Sequence, residues 1–229
     1  MAANMFTFTP IKQLSLSFGN SIVYAEQTIQ AAYLIPIAFY KSLDHLLTKG
    51  IRTQNQNSQA FASISVRPVN HIQLYGSFFI DEIKFSRFKP SEPENNPISY
   101  LVGFNWSGWP IDGLSLRGEF MRSYIACYTH SIDVLTWASN SYNMGHYMGD
   151  NAQSIYAELA YRPVRGLLLR MSYTNDKKFD SYAYLRDNIS ATIAQAPFQN
   201  CIYSNNEFRF DGIYEAHPNM YIRLSIGYN

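Results

Sequence analysis

The chain has 229 residues, a formal net charge of +1, 16% aromatic residues and a mean hydropathy of −0.20. So even a charge balance gives no electrostatic footprint for nucleic acid, and no apolar run reaches the roughly 18 residues of a membrane-spanning helix. Cys127 and Cys201 are too few for a disulfide framework and read as two free, partly buried thiols.

From the N-terminus, MAANMFTFTP has neither the basic segment nor the apolar stretch of a signal peptide and reads as a strand. Polar and apolar residues then alternate with period 2 through most of the chain, which predicts ten strands at about 5–9, 13–25, 58–66, 71–84, 97–106, 113–127, 152–162, 165–175, 202–216 and 219–229. Pro10, Pro68, Pro110, Pro163 and Pro218 fall between paired strands. Proline cannot donate to a strand ladder, so each is assigned to a tight turn. Four longer connections separate the hairpins, at about 26–57, 85–96, 128–151 and 176–201. The first contains PIAFYKSLDHLL, where Pro36 starts a short helix whose Phe39, Leu43, Leu46 and Leu47 share a face, expected to fold into or over a lumen. The second is polar and proline-rich. The third and fourth are rich in Tyr, Asn and Ser.

One strand face carries residues such as Leu16, Ile64, Leu74, Val102, Leu116, Leu159, Met171 and Ile226. The other carries Ser17, Gln73, Asn105, Arg117, Glu119, Glu158, Arg170, Ser172, Arg209, Asp211 and Arg223. A soluble sheet shows the same alternation. Three features favour an antiparallel transmembrane β-barrel instead, in which the apolar face meets lipid and the polar face lines a lumen. The strands are long, near the about 9–11 residues of a tilted membrane strand. Short turns and long loops alternate. Aromatics such as Trp106, Trp109, Tyr124, Tyr161 and Tyr173 gather near strand ends, as an interfacial girdle requires. Leu116, Leu169 and Leu224 are expected to point outward near mid-membrane, and the inward Arg and Glu residues to pair across neighbouring strands.

The ordered series FTFTPIKQLSLSFGNSIVYA, AAYLIPIAFY, LYGSFFIDEIKF and YNMGHYMGDNAQSIYAELAYRPVRGLLLRMSY resembles the Wzi-type capsule assembly proteins of Gram-negative outer membranes, in the version found among Bacteroidetes. That resemblance implies a larger barrel than ten strands. The parity of the strands agrees: with the proline turns in the periplasm, both ends of residues 1–229 lie on the outer side, so further strands are expected at both ends. The chain is expected to be a single outer-membrane barrel domain.

Chemistry-bearing motifs are sparse. His45, His71, His130, His146 and His217 have no metal-ligand spacing, and neither CxxC nor GxSxG occurs. His130 and His146 share a loop with Asp133 and Asp150, which reads as a polar surface loop rather than a hydrolytic site. Asp81 and Glu82 read as a strand-end pair holding a loop. The expectation is a protein without enzymatic activity, cofactor or metal, which takes capsular polysaccharide and outer-membrane lipid as partners and does not bind nucleic acid. It would assist capsule assembly or surface attachment; the alternative is a pore for small solutes. Trp137, Tyr142, Tyr147, Tyr182 and Tyr184, in the two outer loops, are the candidate rings for stacking on sugars, with the Asn, Asp and Ser around them reaching hydroxyls.

Overall fold

The computed structural model describes residues 1–25, 31–47, 56–81, 96–130, 132–140, 142–181 and 198–229. In chain order the strands are β1 (Ala2–Ile11), β2 (Leu14–Tyr24), β3 (Gln56–Val69), β4 (Ile72–Asp81), β5 (Ile98–Ser107), β6 (Leu114–Ser123), β7 (Ala138–Ser139), β8 (Tyr142–Asn143), β9 (Ala152–Tyr161), β10 (Leu167–Phe179), β11 (Cys201–His217) and β12 (Met220–Tyr228). The ten long strands form one antiparallel sheet in chain order, and β7 and β8 pair separately within a loop. The sheet is open, with β1 and β12 at its edges.

Register shows why the alternating pattern specifies this sheet. Phe18, Ala62, Phe78 and Tyr100 are successive partners across β2 to β5, and Leu116, Leu159, Met171, Phe210 and Ile226 across β6 and β9 to β12. A slip of one residue would turn each apolar side chain to the other face. The apolar face is not covered by other elements over most of its extent: Phe18, Val102, Met171, Phe208, Leu224 and Ile226 are all exposed. An apolar face of this breadth left open on a sheet of long strands is the arrangement that lipid, not water, stabilises. Leu116, Leu169 and Leu224 lie on it as expected. Their depth differs, however: Leu116 and Leu169 are the third residues of their strands, close to the turns, and only Leu224 is central in its strand.

Three local expectations are corrected. Pro10 and Pro68 do not occupy the turns. They sit in bulges beside them, where the register shifts between Phe8 and Ile11 and between Val66 and Val69, and the two-residue turns are Lys12–Gln13 and Asn70–His71. A bulge residue is unpaired, so the missing proline N–H costs no ladder bond. Strand β6 stops at Ser123 rather than continuing to 127, because the chain turns back over the sheet with Ala126 and Tyr128 at positive φ (64° and 73°). Cys127 is fully buried while Cys201 is exposed, and both are free, so the thiols do not share one environment.

The helix is the fourth correction. Helix α1 spans Tyr40–Leu47, four residues after Pro36 rather than at it. Its start is fixed by a strand side chain: the Tyr40 N–H donates to Asn20 Oδ1 at 2.8 Å, while Asn20 and Asn4 both donate to the Ala38 carbonyl. Asn4 and Asn20 are register partners, two residues from the partners Phe6 and Phe18, so they belong to the apolar face. The segment 31–43 therefore packs on the lipid-facing side of the loop end, where Ile22, Tyr33 and Tyr40 form a buried cluster with Leu43, and not over the polar face. Phe39 is exposed; the side chains of Leu46 and Leu47 lie outside the described residues.

Candidate functional site

The polar face is built from the other set of register partners. Tyr75 donates to Glu119 at 2.5 Å, and Tyr156 to Glu158 at 2.7 Å. Arg170–Glu158 (3.3 Å) and Arg223–Asp211 (2.9 Å) pair across strands as expected, but Arg117–Glu119 and Arg209–Glu207 (2.5 Å each) pair along a single strand. Residues two apart on a strand share a face, so a long guanidinium reaches its own strand's carboxylate as easily as its neighbour's.

Onto this face folds the connection 124–151. Every sheet residue that it touches through a side-chain bond or ring contact here has polar-face parity. Asn57 on β3 donates to the Leu135 carbonyl (3.2 Å). The Phe79 ring on β4 meets Tyr128 and Trp137, with centroids 4.9 and 5.5 Å apart. Ser123 on β6 donates to the Gly149 carbonyl at 2.6 Å. Tyr147 donates to both carboxylate oxygens of Asp176 on β10 at 2.8 Å. Lys178, also on β10, pairs with Asp150 at 2.7 Å. The loop thus crosses the polar face from β3 to β10, and Leu135 at its tip is fully buried.

Local chemistry holds that path. Asp150, 6% exposed, accepts from the Ala126 N–H (3.0 Å), Lys178 Nζ and Ser181 Oγ (3.2 Å), so one carboxylate closes both ends of the loop. Gly145 lies against the Tyr128 ring, where a Cβ would overlap it. Burial pushes the Cys127 thiol well up, and burial together with the Asp176 bond raises the Tyr147 phenol to about 12, so both stay protonated. Burial lowers His146 below the usual histidine range, against the opposing pull of Asp176 and Glu119.

The candidate sugar-stacking rings are thereby separated. Trp137 turns inward onto Phe79, and Tyr147 is anchored by its hydroxyl to Asp176, although the residue remains 68% exposed. Tyr142 is 79% exposed. Tyr182 and Tyr184 lie outside the described residues, as does Glu82, while Asp81 is buried beside Gln59. His130 Nδ1 accepts from the Ile132 N–H, and His146 Nδ1 from the Met148 N–H, so each imidazole braces its own turn. Among the described residues, no group of three or more His, Cys, Asp or Glu is placed to hold a metal.

Long antiparallel strands, an open apolar face, a polar face carrying charge and a loop folded across it define an outer-membrane β-barrel fold. No family model and no curated protein matches the chain. Among solved structures it is similar to Salmonella typhi OmpF, an outer-membrane porin barrel solved in complex with daunomycin, with a TM-score of 0.54 and 9% sequence identity. The match covers 98% of this chain and 53% of that one, so the chain spans about half the length of the barrel it resembles. At that identity the likeness is one of fold.

Proposed function

We propose that the chain forms the wall of an outer-membrane pore, with the polar face lining a water-filled lumen that the loop 124–151 narrows. The observation that carries this reading is the direction of the loop. Its aromatic, hydrogen-bonded and ionic anchors all lie on the polar face, whereas a loop built only to meet surface ligands would stand clear of it. A lumen lined by paired Arg and Glu stays wet and sets selectivity by width and charge. Passage of solutes needs no catalytic residue. The test is conductance in planar bilayers. Steady channels in the parent protein, and larger ones after the tip 132–147 is replaced by a short Gly-Ser linker, are expected. A parent protein that inserts without conducting contradicts the pore.

A second reading, assistance to capsule assembly at the cell surface, is supported by the sequence resemblance to Wzi-type proteins and by the aromatic loops. It predicts that replacing Tyr142 with Ala, at unchanged barrel abundance, sheds polysaccharide from encapsulated cells.

A further inference from the structure

Between the loop and the sheet lies a cavity of about 380 Å³ on the polar face of β1 to β6. Its floor has two adjoining rows. In one, Ser17, Ser63 and Ser77 are direct register partners on β2, β3 and β4, and the row passes into apolar side chains at Leu101 on β5 and Met121 on β6. In the next, Phe61 and Phe79 are partners, and the Phe61 ring lies over Gly19, where a Cβ would overlap it. The loop supplies the roof, chiefly Tyr128 and Trp137.

Two properties narrow the ligand. The lining contains no Asp, Glu, Lys or Arg, and its one histidine, His146, is held towards the neutral form by burial, although charged pairs line the polar face a few residues away, so the slot does not suit an ion or a phosphate. It also joins ring faces to hydroxyls in register, with Ser63 and Ser77 exposed. A purely apolar solute would leave those hydroxyls against carbon. A sugar matches both rows, because a pyranose has an apolar C–H face for the rings and equatorial hydroxyls for the serines. We propose that this slot binds a neutral saccharide, one pyranose against Phe61 and Trp137 and its hydroxyls on Ser63 and Ser77. The inference rests on the reading of the polar face as a lumen open to solutes, and it names the class of solute.

Trp137 is one of three tryptophans, so Trp106→Phe with Trp109→Phe leaves a single reporter in the slot. In detergent-solubilised protein of that background, maltohexaose or chitohexaose is expected to change the Trp137 emission saturably, with a Kd on the order of millimolar. Sorbitol, which has hydroxyls but no pyranose face, is expected to have no effect. Ser63→Ala with Ser77→Ala removes only two hydroxyls and should weaken binding about tenfold, or 1.4 kcal/mol. No saturable change with either oligosaccharide, an equal response to sorbitol, or unchanged affinity in the serine variant would overturn the site. Conductance of the same protein separates the two readings. Open channels without sugar binding reject the slot alone, and sugar binding without channels rejects the pore alone.

Discussion

Asp150 has the most concentrated role of any single residue. Its carboxylate joins the start of the loop at Ala126, the end of the loop through its own backbone, and β10 through Lys178. Truncating one member of a largely buried ion pair strands the other, so Asp150→Ala should cost roughly 2 kcal/mol in a urea titration, with Asp150→Asn between that and the parent. His146 gives the loop a pH response. Its partners are Tyr147 at a ring distance of 4.3 Å, and Asp176 and Glu119 through their charge. With a folded pKa below its unfolded one, it contributes stability above the usual histidine range that is lost as the pH falls through the folded value. Proteolysis of the loop should therefore speed up on moving from about pH 7.5 to about pH 5, and His146→Gln should flatten that change. A cleavage rate that does not vary with pH in the parent contradicts the assignment.

At the scale of elements, Met171 and Ser172 are neighbours on β10 with opposite surroundings. Met171 is 59% exposed on the apolar face, while Ser172 pairs with Glu158 and Arg209 on the polar one. In lipid vesicles Met171→Arg should cost about 2–4 kcal/mol, and Ser172→Arg far less. Equal costs contradict the orientation of the sheet. The strands are legible because period 2 runs through all ten, and the pairing between them follows from it except at the bulges. The loop's path is not, since its anchors, Asn57, Phe79 and Asp176, are distant in sequence and adjacent only once the sheet has formed. The outward helix has a local signal in the sequence: Asn4 and Asn20 interrupt the apolar parity of β1 and β2, and a polar residue there needs a cover. The proline positions were right to within a residue or two of the turns, but bulge and turn look alike in a sequence without register. Of the candidate rings, Trp137 lies in the loop that folds onto the polar face, where it meets Phe79, and composition says nothing about which way a loop folds.

For the molecule as a whole, the open sheet poses a physical requirement. Strands β1 and β12 each present a row of N–H and C=O groups unpaired among the described residues, and hydrocarbon supplies no partner for them. In a membrane each edge must be paired, with the opposite edge or with another strand. A cysteine on the polar face of β12 should accordingly be shielded from cross-linking between separate barrels. Free dimerisation through Ser225→Cys in vesicles would contradict closure.

The central claim is that one face of this sheet meets water and the other lipid. Single cysteines at positions 169 to 174 of β10, in a background with Cys127→Ala and Cys201→Ser, test it most directly in lipid vesicles. A membrane-impermeant thiol reagent is expected to label Arg170→Cys, Ser172→Cys and Thr174→Cys. A lipid-borne quencher is expected to reach probes attached at Leu169→Cys, Met171→Cys and Tyr173→Cys. Uniform labelling along the strand, or the reverse alternation, would contradict the account.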